Sequence, residues 1–142
     1  MMAGGINFDN LQRKGLYFGW TTYGRSKLMN ILFTRELCRR LQGTGVTANA
    51  LHPGFVATNF GHNGNGVGKW IIGLTQRWAL TPEEGAQTSI YLASSPDVAG
   101  VSGEYFVDKK ITQPSNAAQD EEAAKRLWDV SLALVGEQEL EI

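Results

Sequence analysis

The stretch from Tyr23 to Gln42 constrains this chain most, because its apolar residues do not fit on one narrow stripe. Leu28, Met29, Ile31, Leu32, Phe33, Leu37, Cys38 and Leu41 lie among good helix formers, which predicts a helix that is apolar over much of its circumference. Such a helix is buried on two sides, with a sheet on one and a partner helix on the other. Thr21 or Thr22 can cap its start, and Gly43 and Gly45 suit its end. The next segment can supply the sheet. Val46 to Leu51 is short, apolar and closed by Pro53-Gly54, the pattern of a buried strand that ends at a turn.

Further along, Leu80-Thr81-Pro82-Glu83-Glu84 predicts a second helix, with Thr81 as N-cap, Pro82 at the first position and Glu84 completing a capping box. That helix should run to Ser94, stop before Pro96 and bury Ala86, Ile90 and Ala93. Gly103 to Val107 reads as a second strand. A last helix is expected from about Ala117 to Val135, with Leu127, Trp128, Val130, Ser131 and Leu134 near its packed face. Residues 1–20 read as loop, residues 69–79 as a short amphipathic helix, and the glycine-rich Gly61 to Gly68 as a mobile loop.

This order is half of an α/β pattern. It implies about two parallel strands with four to five helices, joined by a right-handed crossover. Parallel strands are normally covered on both faces and flanked by other strands. Two alone leave the sheet incomplete, with one edge of the first strand unpaired.

Composition narrows the function. With 142 residues, 42% hydrophobic and 19% charged, the chain has one globular domain's worth of sequence. Its net charge of −1 gives no sign of a nucleic-acid partner. The acidic residues gather in 115–142, which carry 7 Asp/Glu against 2 Lys/Arg, a pattern that reads as a solvated helix face. Cys38 is the single cysteine, so no internal disulfide can form, and a reducing, cytoplasmic setting is expected. Cys38, His52 and His62 lack metal-ligand spacing. No apolar run approaches the roughly 18 residues of a transmembrane helix, and the start MMAGGINFDN lacks the features of a signal peptide.

Chemistry concentrates in Tyr23 and Lys27. Residues four apart on a helix are neighbours, and an ammonium beside a phenol favours the phenolate. Such a tyrosine can give a proton to a carbonyl or take one from an alcohol. Spacing alone is weak evidence, since Tyr105 and Lys109 share it. That second pair begins on a strand, however, and at about 3.3 Å per residue its extended ends lie roughly 13 Å apart. Local structure favours Tyr23 and Lys27, while the spacing leaves both a catalytic pair and two ordinary helix residues open.

Tyr23-Gly-Arg-Ser-Lys27-Leu28, followed by Asn49-Ala-Leu-His-Pro53-Gly54-Phe-Val-Ala-Thr58, resembles the short-chain dehydrogenase/reductase family. The likeness is to its C-terminal half. Within the family the retinol-dehydrogenase-like group is most similar, through SKLMNILFTREL, NALHPGFVATN and the tail YFVDKKITQPSNAAQDEEAAKRLWDVS. The resemblance implies the C-terminal half of a Rossmann-like doubly wound sheet, a partial NAD(P)-binding domain over 1–142. Its parts would be a loop (1–20), an active-site helix (21–42), a strand and Pro-Gly turn (43–58), a substrate-loop region (59–80), a helix and last strand (81–107), and a C-terminal helix and tail (108–142).

By the same resemblance Tyr23 would be the catalytic acid/base, and Lys27 would lower its pKa and hold the nicotinamide ribose. Pro53 and Gly54 would end a strand beside the nicotinamide ring, backbone groups around Phe55 and Val56 would meet the carboxamide, and the Thr58 hydroxyl would bind the cofactor. Ser26 reads as a small helix-packing residue, Asn30 as an ordinary polar one, and His52 as a strand-end packing residue. The cofactor is NAD or NADP, and the substrate a small alcohol or carbonyl, apolar in view of Phe55, Phe60 and Trp70.

The family's glycine-rich strand-turn-helix, which cradles the pyrophosphate, has no match here, and no serine precedes Ser26. The expectation is therefore an oxidoreductase present as a truncated and inactive chain. The alternative is a non-catalytic interaction module that associates through helix 23–42, which is also the surface by which a homo-oligomer would form. A sugar epimerase on the same scaffold could use a Tyr/Lys pair as well, but the Pro-Gly…Thr element and the tail speak against it.

Overall fold

The computed structural model describes residues 5–11, 19–54, 56 and 79–136. Three α-helices are present among them: α1 (Gly19–Arg40), α2 (Pro82–Ser94) and α3 (Glu121–Val135). Three strands, β1 (Ala50–His52), β2 (Tyr105–Val107) and β3 (Lys110–Ile111), form one sheet in the order β1-β2-β3. Short 3-10 turns occupy Phe8–Asn10, Pro96–Val98 and Asn116–Gln119. The predicted loop 61–68 and helix 69–79 lie outside the described residues. None of the described helices is long and apolar enough to cross a membrane.

The sheet is mixed. The Gly103 amide donates to the Ala48 carbonyl at 2.7 Å and the Ala50 amide to the Glu104 carbonyl at 2.9 Å. Partners that advance together along both segments mark the parallel sense. β2 and β3 instead form an antiparallel hairpin, with Phe106 opposite Ile111 and Val107 opposite Lys110. The two residues between, Asp108 (φ 48°) and Lys109 (φ 64°), both take the left-handed conformation, as a tight I′ hairpin turn requires. The sequence carries no hint of β3, because Asp-Lys is a poor signal for such a turn.

The chain divides into two compact units. The first comprises residues 1–50, 100–105 and 112–142. Its core joins Leu28 and Leu32 of α1 to Ala118 and to Ala124 and Leu127 of α3, with Ile6, Phe8, Leu11 and Met29 packed around them. Phe33 stacks on Trp128 at 5.2 Å between ring centroids, and the Arg40 guanidinium lies 4.7 Å over the same Trp128 ring. α1 thus has the partner helix its apolar breadth predicts. It starts at Gly19, before the expected Tyr23, and ends at Arg40, short of the expected Gln42, in a turn where Gly43 (φ 84°) takes the left-handed conformation.

Residues 46–49, expected in the first strand, lie before β1. Val46 is exposed, and side chains replace part of the ladder there. The Ser102 hydroxyl accepts from the Ala48 amide at 3.0 Å. The Asn49 side chain donates to the Val101 carbonyl at 2.7 Å and accepts from the Glu104 amide at 3.0 Å. α3 begins later than Ala117 because Asp120 caps it, accepting from the Ala123 amide at 3.0 Å. Of its expected packed face, Leu127 is buried while Leu134 is exposed.

The second unit comprises residues 51–99 and 106–111. α2 starts as predicted. Thr81 accepts from the Glu84 amide at 3.2 Å, and Glu84 accepts from the Thr81 amide at 2.8 Å. Its buried residues, however, are Gly85 and Thr88 rather than Ala86, Ile90 and Ala93, and Ile90 is 54% exposed. Two contacts set this face. Gly85 lies against Val56 so closely that a methyl there would overlap the Val56 side chain, and the Thr88 hydroxyl accepts from the Lys109 amide of the hairpin turn at 3.3 Å. Phe106 and Val98 complete the buried apolar residues of this unit.

Candidate active site

Four residues of α1 define an outward stripe: Tyr23, Lys27 and Asn30 are exposed and Thr34 is half-buried, at spacings that keep them on one face. Within it the Lys27 ammonium lies over the Tyr23 ring, 5.3 Å from its centroid. A cation over an aromatic face is attracted by the ring quadrupole, worth about 0.5–1 kcal/mol at an exposed position. The sequence-predicted pair is therefore brought together on a solvent-facing surface, where both groups can meet a ligand. The competing pair is not extended as expected, because Lys109 lies in the turn between β2 and β3; its amine donates to Gln87 at 3.2 Å, and burial pushes the Tyr105 phenol up.

Ser26 does not stand in for a second catalytic hydroxyl. Its Oγ donates to the Tyr23 carbonyl at 2.8 Å, a bond back to the preceding turn that places it beside the tyrosine's backbone rather than its phenol. Thr34 makes the same kind of bond to the Asn30 carbonyl at 2.9 Å.

The Pro-Gly turn belongs to the second unit. β1 ends at His52, and Pro53, which has no N–H, cannot continue a ladder. Gly54 has φ 82°, and a Cβ placed on it would stand 2.6 Å from Leu80 Cδ1. Only glycine meets both conditions without strain. Val56 then forms an isolated parallel bridge with Leu80, one residue before the Thr81 cap of α2. Phe55, Thr58, Phe60 and Trp70 lie outside the described residues.

One charged cluster is not anticipated by the sequence reading. Glu36 on α1 is only 3% exposed, yet it accepts from Arg39 at 2.9 and 2.7 Å and from Arg40 Nε at 2.7 Å. The Arg39 and Arg40 guanidinium groups, Arg39 foremost, outweigh burial and hold its carboxyl below the ordinary value of 4.5. Arg40 also reaches Asp129 of α3 at 3.9 Å. The i+3 and i+4 spacings are legible as helix ion pairs. The burial is not, because it depends on what the helix packs against.

Residues 6–109 match the family model described as Enoyl-(Acyl carrier protein) reductase. Human retinol dehydrogenase 14 is 54% identical over 137 residues, covering 94% of this chain and 40% of the relative. The chloroplastic short-chain dehydrogenase TIC 32 B of Brassica napus is 42% identical over 134 residues, covering 92% and 42% respectively. The crystal structure of an uncharacterized protein from Mycobacterium paratuberculosis superposes with a TM-score of 0.61 at 28% identity, over 92% of this chain and 46% of that one. The chain spans about two fifths of the length of the curated relatives it matches. With the family model covering most of its residues and its α/β fold shared with that structure, the chain belongs to the short-chain dehydrogenase/reductase family.

Proposed function

We propose that these residues supply the proton-transfer and nicotinamide-side elements of an NAD(P)-dependent oxidoreductase acting on a small apolar alcohol or carbonyl. The observation that carries this reading is the Lys27 ammonium over the exposed Tyr23 ring, in a chain 54% identical to a protein named retinol dehydrogenase 14. The chemistry of Tyr23 and Lys27 fits the nicotinamide-ribose end of a nicotinamide nucleotide. Tyr23 and Lys27 present a hydroxyl and a cation to solvent, and in the second unit the left-handed Gly54 follows β1 in a turn packed against Leu80. No glycine-rich strand-turn-helix for the pyrophosphate occurs among the described residues.

When bound, the nucleotide supplies the hydride acceptor or donor. Tyr23 Oη takes the proton from the substrate hydroxyl in oxidation and returns it to the carbonyl oxygen in reduction. Lys27 favours negative charge on the phenol oxygen while that proton is away, and its ammonium can donate to the nucleotide's ribose hydroxyls. By the family resemblance, Pro53 and Gly54 are assigned to the nicotinamide, backbone groups around Phe55 and Val56 to its carboxamide, and the Thr58 hydroxyl to the cofactor.

The test is a graft in which these 142 residues replace the matched segment of human retinol dehydrogenase 14. The graft should turn over retinol with a nicotinamide cofactor, and Tyr23→Phe should lower the rate about 10²–10⁴-fold with its thermal midpoint unchanged. A folded, cofactor-binding graft that keeps its rate after Tyr23→Phe would refute the assignment.

A further inference from the structure

A cavity of about 60 Å³ lies in the first unit between the Phe8–Asn10 turn and the start of α1, lined by residues that include Ile6, Leu11, Thr22, Arg25, Ser26 and Met29. Thr22, Ser26 and Met29 recur at helix spacing, so one face of α1 forms one wall. Ile6, Leu11 and Met29 make the lining mostly apolar. Within it the Thr22 hydroxyl oxygen is buried and meets no hydrogen-bond partner among the described residues. A buried hydroxyl left in that condition costs about 1–3 kcal/mol, and such groups in native proteins are almost always satisfied.

We propose that this cavity is a hydration site, in which ordered water is held between the hydroxyls of Thr22 and Ser26. The space exceeds the roughly 10–15 Å³ that one water requires. Thr22 and Ser26 are four residues apart, hence neighbours on the helix surface. The Ser26 proton is already committed to the Tyr23 carbonyl, so its oxygen is left to accept. Water accepts from the Thr22 hydroxyl and donates to Ser26 Oγ, which donates in turn to the Tyr23 carbonyl. The chain of bonds has one consistent direction and ends on the backbone of the residue that carries the proposed chemistry. Water here is a positioning element for the first turns of α1.

Thr22→Val is the discriminating variant, because valine has nearly the shape of threonine and a similar helix propensity. Magnetization transfer from water to the Thr22 and Met29 methyl groups of the 142-residue chain, measured by NMR, reads the water directly. Expected are cross-peaks with the sign of long-lived bound water at both methyls in the unaltered chain and at Met29 in Thr22→Ser, and the loss of the Met29 cross-peak in Thr22→Val. The thermal midpoint of Thr22→Val should fall by about 2–4 °C, since the bridge is lost. Absence of the cross-peaks in the unaltered chain, persistence of the Met29 cross-peak in Thr22→Val, or a midpoint raised by that substitution would each overturn the proposal. The last is the signature of a dry, unsatisfied hydroxyl removed.

Discussion

The Lys27 ammonium sits 5.3 Å from the centroid of the Tyr23 ring, on the outward face of α1. One helical turn separates the two residues, so the contact is fixed by the helix and needs no other element to form. The side chains stay exposed because the adjacent stripe, Leu28 and Leu32, is the one buried against Ala118, Ala124 and Leu127. The phenol and the ammonium are thus held on a rigid support while facing solvent.

If Lys27 acts by charge, Lys27→Met in the retinol dehydrogenase graft should lower the rate about 10²–10³-fold. Lys27→Arg should restore part of it, since the charge remains but the donor geometry changes. Steady-state kinetics of the two variants check this, and equal losses in both would argue against a charge role.

The 142 residues alone should bind NADH or NADPH weakly or not at all, because they span about two fifths of their relatives' length and no glycine-rich turn opens a helix toward a pyrophosphate among the described residues. Calorimetric titration provides the measurement. Low-micromolar affinity for either nucleotide would show that the site is more complete than its residues indicate.

Stability should depend on pH through Glu36. The Arg39 and Arg40 guanidinium groups hold its carboxyl below 4.5 in the folded chain. A depressed folded value means stability that is fully present above the unfolded value and is lost as pH falls through the folded one. Glu36→Gln should therefore cost about 1–3 kcal/mol at neutral pH, with the difference from the unaltered chain shrinking below pH 4.5. Urea unfolding at several pH values tests it, and a difference that does not change with pH would contradict the ion-pair account.

Gly85 is set by packing. A methyl at this position would overlap one Val56 methyl and stand 3.1 Å from the other. Overpacking outweighs the gain in helix propensity, so Gly85→Ala should lose about 1–2 kcal/mol. Val56→Ala should make the same substitution far less costly. A double-mutant cycle by chemical denaturation measures that coupling, and strict additivity would mean the contact is relieved some other way.

Features encoded within a turn or two of chain are legible in the sequence. The Thr81–Glu84 capping box, the left-handed Gly43, the Pro53-Gly54 turn and the Tyr23–Lys27 neighbourhood depend on residues at most a few positions apart, whose geometry the backbone itself fixes. The sequence pattern likewise requires a partner for α1, though it does not say which residues supply it. The tertiary structure decided which groups are buried. Glu36, polar by type, lies inside because its helix turns that side inward. Ile90, apolar by type, lies outside because α2 faces Val56 and Lys109 through Gly85 and Thr88. The late start of β1 stems from Ser102 and Asn49 bonds that join residues more than fifty positions apart. Burial is a relation between distant parts of the chain, so no local pattern contains it.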